Sequence, residues 1–108
     1  MVVSFPEADW RVLHALEGSV FERLDTRLLR GVQATLQAPG SSASRVASIE
    51  TLLRERNRVV SAIAPLFRRS KALILVVTLR HAALLTDEEF DSLSQATREA
   101  VLRALSVS

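Results

Sequence analysis

Hydrophobic residues recur every three or four positions along most of the chain, which is the spacing of one face of an α-helix. Ser4 and Glu7 have the spacing of a capping box, and the apolar stripe after them predicts a first helix over residues 6–17. A second stripe predicts a helix over residues 20–37. Gly18 either separates these two helices or is a weak point within one continuous helix.

A loop rich in proline, glycine and serine at residues 38–42 is followed by a long heptad pattern. This pattern begins at Val46, and nine of its twelve a and d positions are apolar. It predicts helices over residues 43–64 and 66–84 that share one seam. Pro65 lies on the outer side of the pattern, where it either kinks the helix or divides it into a pair.

Two parts of this seam allow alternative interpretations. Arg56 occupies a d position. Either it pairs, extends its charge to water or sits where the seam opens, and then fixes the register or the oligomeric state, or it faces solvent because the seam is only approximate. Residues 73–79 are rich in β-branched side chains, which also suit a buried strand. No other part of the chain has the pattern of a strand that could pair with it, so a helix buried on all sides is favoured.

The strongest local signal near the C-terminus is a second capping box, formed by Thr86 and Glu89. Leu85 and Phe90 flank it with the spacing of a hydrophobic staple, and together they predict a helix over residues 87–105. Short connections favour antiparallel neighbours. The sequence therefore predicts an all-α fold, a small antiparallel bundle of four or five helices with a long, proline-kinked central helix or helix pair, and an oligomer.

Length and composition support one folded domain over residues 1–108. The chain has 108 residues, of which 48% are hydrophobic, so it is not intrinsically disordered. It has no cysteine, which excludes a disulfide framework and a thiolate zinc site. The lack of an apolar leader and of cysteine predicts an intracellular protein. The longest apolar stretch has eight residues, 72–79, which is too short to span a membrane.

Residues that could carry enzymatic chemistry are sparse. His14 and Glu17 lie three residues apart, but the chain lacks the Glu-x-x-His motifs of a di-metal bundle. The acidic cluster at 87–91 is explained by favourable charge at a helix N-terminus. Neither a glycine-rich phosphate loop nor a nucleophile elbow occurs. We therefore predict no catalytic residue, no metal ligand and no cofactor, which indicates a non-enzymatic protein.

The charges are unevenly distributed along the chain. The net charge of +2 divides into −1 over residues 1–40, +6 over residues 41–81 and −3 over residues 82–108. A basic helical segment can follow a phosphate backbone, or it can pair with the acidic C-terminal helix. The residues predicted as possible phosphate contacts are Arg45, Arg54, Arg58, Arg68, Arg69 and Lys71.

The apolar surplus of residues 59–85 is the main functional signal. A small bundle does not cover so wide an apolar girth, and large exposed apolar patches mark interfaces. We therefore predict an interaction or oligomerisation module (an adapter, scaffold or regulator) that forms a homo-oligomer or binds a helical partner. Nucleic-acid binding through the face at 45–71 is the alternative. The predicted interface residues are Val60, Ile63, Phe67, Ile74, Val77, His81, which could make the contact pH-sensitive, and Leu84.

Overall fold

The structure is a computed structural model that describes residues 5–107, and within this range the fold is all-α. It contains six α-helices and two 3₁₀ turns in these residues. The helices are α1 (Glu7–Ala15), α2 (Glu17–Gln37), α3 (Ser42–Ile63), α4 (Ala72–His81), α5 (Asp87–Asp91) and α6 (Gln95–Val107), and the 3₁₀ turns are Ala64–Leu66 and Arg69–Lys71. The strand alternative for residues 73–79 is wrong, because they lie in α4.

The break between the first two helices falls at Leu16, two residues before Gly18. The amide of Leu16 donates to the carbonyl of Leu13, which tightens the last turn of α1. Gly18 is exposed inside α2, and a Cβ added there would meet nothing within 4 Å. The break therefore precedes the glycine. The predicted capping residue Ser4 lies outside the described residues.

The predicted helix over residues 66–84 is shorter than the heptad pattern indicated. α3 ends at Ile63, and two 3₁₀ turns connect it to α4, which begins at Ala72. Pro65 lies in the first of these turns, and a proline there cannot donate to the carbonyl of Ser61. The single seam therefore stops at the end of α3, and α4 packs mainly against α6.

The predicted helix over residues 87–105 is also two helices in the structure. α5 ends at Asp91, and α6 begins at Gln95. Ser94 precedes α6, and its hydroxyl accepts from the amide of Thr97 at 3.4 Å. The side chain of Ser94 thus offers the backbone an alternative to a continuous helix, which favours a new helix start at this point.

The hydrophobic core lies where α1, α4, α5 and α6 meet the adjoining ends of α2 and α3. α4 contributes Ala72, Leu75, Val76 and Leu79 to it, but Leu73 and Ile74 are exposed, so this helix is not buried on all sides. The largest fully buried side chains are Leu13, Val20, Ile63, Leu75, Val76, Leu79, Leu84 and Val101.

α2 and α3 continue beyond this core as an antiparallel hairpin. No residue from 25 to 62 is buried, and we call this part of the hairpin the arm. The molecule measures 57 × 25 × 22 Å and has a radius of gyration of 16.7 Å. A compact domain of this length has a radius of gyration of about 13 Å. The described residues therefore form a core with a projecting arm.

α4 ends in a Schellman motif that lacks the usual glycine. The amide of Leu84 donates to the carbonyl of Leu79 at 2.8 Å, and the amide of Ala83 donates to the carbonyl of Arg80 at 3.1 Å. Ala83 has a φ of 55°, in the left-handed region that favours glycine.

Ala83→Gly is expected to raise the free energy of unfolding by about 1 kcal/mol, because glycine removes the steric cost of the left-handed conformation. Urea unfolding followed by circular dichroism measures the change. The control is Ala82→Gly, since Ala82 has a φ of −81° and gains nothing from glycine. A loss of stability in both variants would contradict the prediction.

Candidate partner-binding surface

The two helices of the arm touch along one narrow seam. A Cβ added to Gly31 of α2 would lie 3.1 Å from Cδ1 of Leu52 in α3, so the missing side chain permits a close approach. This contact sets residue 31 opposite residue 52. Each helix of the arm therefore buries only the stripe that faces the other helix.

Two arginines of α3 hold the ends of this seam. Near the core, Nε of Arg56 donates to Oδ1 of Asp25 at 2.8 Å, and both side chains are partly exposed. The heptad position of Arg56 is thus accommodated by an ion pair with α2. At the tip, Nη2 of Arg45 donates to the carbonyl of Ala38 at 2.8 Å. Arg45 therefore stabilises the loop between the two helices.

Two arginines of α2 fix the arm to the core. Arg23 and Arg27 donate to the carbonyl oxygens of residues 82–84, just past the end of α4. Arg23 also forms a bidentate pair with Glu89, at 2.7 and 2.6 Å. The hydrogen bond from Arg23 lowers the pKa of Glu89 below its usual value. These contacts hold one edge of α2 and orient the arm.

The other edge of α2 is apolar, and so is the adjacent edge of α3. Turning 100° per residue from Gly31 and from Leu52 places residues 29, 32, 36, 46 and 53 at about 100–160° in the same rotational sense. Because the helices are antiparallel, residues that are turned away from the seam in the same rotational sense lie on the same side of the hairpin. We call this side the arm face; its residues are Leu29, Val32, Leu36, Val46, Ile49 and Leu53.

The side chains of the arm face are open to solvent to an unusual degree. Leu29 is 65% exposed, Leu36 59%, Val46 54% and Leu53 43%, while Val32 and Ile49 are half-buried at the edge of the seam. A contiguous exposed patch of this kind is typical of an interaction surface. The sequence feature that indicates this face is the pair Leu28 and Leu29, because two adjacent leucines make the apolar arc of α2 wider than the seam with α3 requires.

Much of the predicted interface in residues 59–85 is part of the core. Ile63 and Leu84 are each 1% exposed and have no surface to offer a partner in this conformation. The ring of Phe67 lies 5.7 Å from that of Phe21 in α2. The remaining predicted residues divide into half-buried Val60 and Val77 and exposed Ile74 and His81.

The predicted phosphate contacts do not share one environment. Besides Arg45 at the loop, Arg58 pairs with Glu55 at 2.5 Å, and Arg69 pairs with Glu7 at 2.6 Å. The three others, Arg54, Arg68 and Lys71, are exposed and form no ion pair with the described residues. Half of the set is therefore engaged within the chain.

Other candidate sites offer little chemistry. A groove of about 760 Å³ between α4 and α6 is lined by Leu73, Ala96 and Ala100, with Arg69 and Arg103 beside them. Among the described residues that line it, none form an acid–base pair or a nucleophile–base pair. Within residues 5–107, no three His, Cys, Asp or Glu side chains are grouped to hold a metal ion. None of the helices in that range is long and apolar enough to cross a membrane.

Comparison with known proteins does not assign the chain to a family. No family model, curated protein or solved structure matches it. A functional interpretation therefore depends on the surface of the molecule alone.

Proposed function

We propose that this protein is a non-enzymatic helical interaction module, an adapter or scaffold, that binds a protein partner through the arm face. The observation that supports it is the row of exposed Leu and Val side chains along an arm without a single buried residue. Full burial of a Leu or Val side chain contributes about 1.5–3 kcal/mol, and these side chains are about half exposed, so covering each contributes a part of that. Several such residues on one face together favour binding.

The way in which the arm is built supports the same proposal. Long helices in proteins derive most of their stability from tertiary packing of an apolar face, and beyond the core α2 and α3 pack chiefly against each other. The arm nevertheless has a defined register and a fixed orientation, given by Gly31 at the seam and by Arg23 and Arg27 at the core. A pre-ordered surface loses less conformational entropy on binding than a flexible one.

The arm face also accounts for more exposed apolar surface than residues 59–85 do. Four of the exposed large hydrophobic side chains belong to the arm, whereas the segment 59–85 contributes Leu73 and Ile74. We therefore place the proposed binding surface on α2 and α3, with Ile74 and His81 outside it.

Site-specific photo-crosslinking in the cells that contain the protein tests this proposal. A photoreactive residue replaces Leu29 or Leu53 on the arm face, or Arg30 or Thr51, which are exposed on the other side of the arm. We expect the two face positions to give a protein adduct of discrete mass, identified by mass spectrometry, and the two control positions to give none.

The proposal fails if the face positions give no protein adduct, or if all four positions give the same adducts. It also fails if the adducts are lost on nuclease treatment. That outcome would favour nucleic-acid binding, in which Arg54, Arg68 and Lys71 are the exposed basic residues without an ion pair to the described residues.

A further inference from the structure

We infer that the partner on the arm face is a second copy of this chain, related by a two-fold axis that stacks each arm helix antiparallel on its own copy. The inference rests on the proposed function and names the partner. The axis passes close to Gly31 in α2 and Leu52 in α3, so that the arms form an intermolecular four-helix bundle.

Charge complementarity favours a second copy in this orientation. Glu50 and Arg54 lie one turn apart along α3, on the edge that points away from α2, with Glu50 nearer to the arm face. Both are exposed, and neither forms an ion pair with the described residues. A two-fold axis near residue 52 places Glu50 of each copy beside Arg54 of the partner subunit, so the dimer contains two such contacts. The two unpaired charges therefore complement each other across such an interface.

The apolar side chains are also distributed around this axis. Leu53 of α3 and Val32 of α2 lie within one residue of it, so each meets its own copy near the centre. Leu29 and Leu36 lie on either side of Val32 and extend the contact along α2. Stacking covers the open side of both helices and gives the arm the enclosed core that it lacks within one chain.

The area of the arm face is sufficient for a weak, specific dimer. From residue 42 to residue 56, α3 rises about 20 Å, and two helices side by side are about 20 Å wide. This is a flat footprint of about 400 Å² per copy. The two copies together therefore bury about 800 Å² as flat footprints, and the projecting Leu and Val side chains add to this, which is the size of a small, weak interface. The expected affinity is therefore in the micromolar range.

Charge reversal tests the proposed pairing. Sedimentation equilibrium of the full chain should show a monomer–dimer equilibrium. Glu50→Arg and Arg54→Glu should each raise the dissociation constant by about 10-fold or more, because each creates two like-charge contacts. The double variant restores opposite charges and should return the constant close to that of the original chain. Arg30→Glu, on the other side of the arm, should leave the constant unchanged.

A disulfide test keeps the inference falsifiable if a charge variant fails to fold. The chain has no cysteine, so one introduced thiol can only bridge two copies. Leu53→Cys lies near the axis and should give a covalent dimer under mild oxidation. Val46→Cys lies about 9 Å from the axis along α3, so its two copies are too far apart to bridge.

A strict monomer at about 1 mM would overturn the inference. A double charge variant whose dissociation constant stays as high as those of the single variants would also overturn it. A disulfide dimer from Val46→Cys with none from Leu53→Cys would do the same. If the chain is monomeric while the arm face crosslinks to a different protein, the second-copy inference fails and the proposed function stands. If the arm face crosslinks to no protein, both fail.

Discussion

Leu75→Ala is expected to lower the free energy of unfolding by about 3–5 kcal/mol. Leu75 lies in α4 at the centre of the core and is 0% exposed, so truncation leaves a cavity that surrounding helices cannot close fully. A domain of this size has a total stability of about 5–15 kcal/mol. The variant should therefore lose a large fraction of its stability, and urea unfolding measured by circular dichroism will give the change.

Leu73→Ala is the matched control, because it removes the same atoms from the same helix. Leu73 is 41% exposed, so its truncation should cost less than about 1 kcal/mol. Equal losses in the two variants would contradict the assignment of α4 as the centre of the core. The same comparison separates the core from the arm face, where truncations should weaken binding more than folding.

Helices with local signals could be predicted from the sequence. The capping box at Thr86 and Glu89 is present, with Glu89 accepting from the amide of Thr86 at 2.9 Å. The loop at 38–42 likewise separates α2 from α3, and Ser41 caps α3 through the amide of Ser44. In these cases the structural signal lies within four residues, so no tertiary information is needed.

Interruptions inside a continuous apolar period could not be predicted. Leu66 and Phe67 continue the apolar period past Pro65, because both still pack on the core although the backbone there is not α-helical. A period records which side chains face the core, and it does not record the backbone conformation that carries them there. For this reason the helix predicted over 66–84 begins only at Ala72.

The location of exposed apolar surface depends on tertiary structure as well. The segment 59–85 is rich in apolar residues, and α4 within it is packed by α1, α3 and α6, which covers most of them. The arm is less apolar overall, but its two helices pack chiefly against each other and leave their outer sides exposed. Exposure is therefore decided by which elements reach a helix, and the sequence alone does not give this.

Asp9 is the clearest example of a residue without a local signal. It is 3% exposed in α1, and its partners precede or begin α6, 85 and 88 residues away. Oδ1 accepts from the amide of Ser94 at 2.9 Å, and Oδ2 accepts from the hydroxyls of Ser94 and Thr97 at 2.6 Å each. Asp9 thus places a buried negative charge at the N-terminus of α6, which the helix dipole favours.

Asp9→Ala is expected to lower the free energy of unfolding by about 2–3 kcal/mol at neutral pH, because it leaves the buried groups of Ser94 and Thr97 without their charged acceptor. Glu7→Ala is the control on the same helix. Glu7 is exposed, and its ion pairs with Arg11 and Arg69 lie at the surface, so its loss should cost less than about 1 kcal/mol.

The same substitution should also change the pH dependence of stability. Burial alone raises the pKa of Asp9, but the hydrogen bonds from Ser94 and Thr97 outweigh it and leave the pKa below its usual value. The folded state therefore binds this proton less readily than the unfolded state, whose pKa is about 3.9. The stabilisation from Asp9 is complete above that value and is lost as the pH falls through the lower pKa of the folded state.

Urea unfolding between neutral pH and pH 3 measures this effect. Because the pKa of Glu89 is lowered, both proteins lose stability as the pH falls. The contribution of Asp9 is therefore the difference between their free energies of unfolding. We expect the stability gap between the original chain and Asp9→Ala to narrow as the pH falls below about 4. A gap of constant size down to pH 3 would mean that Asp9 is not held as a carboxylate by α6.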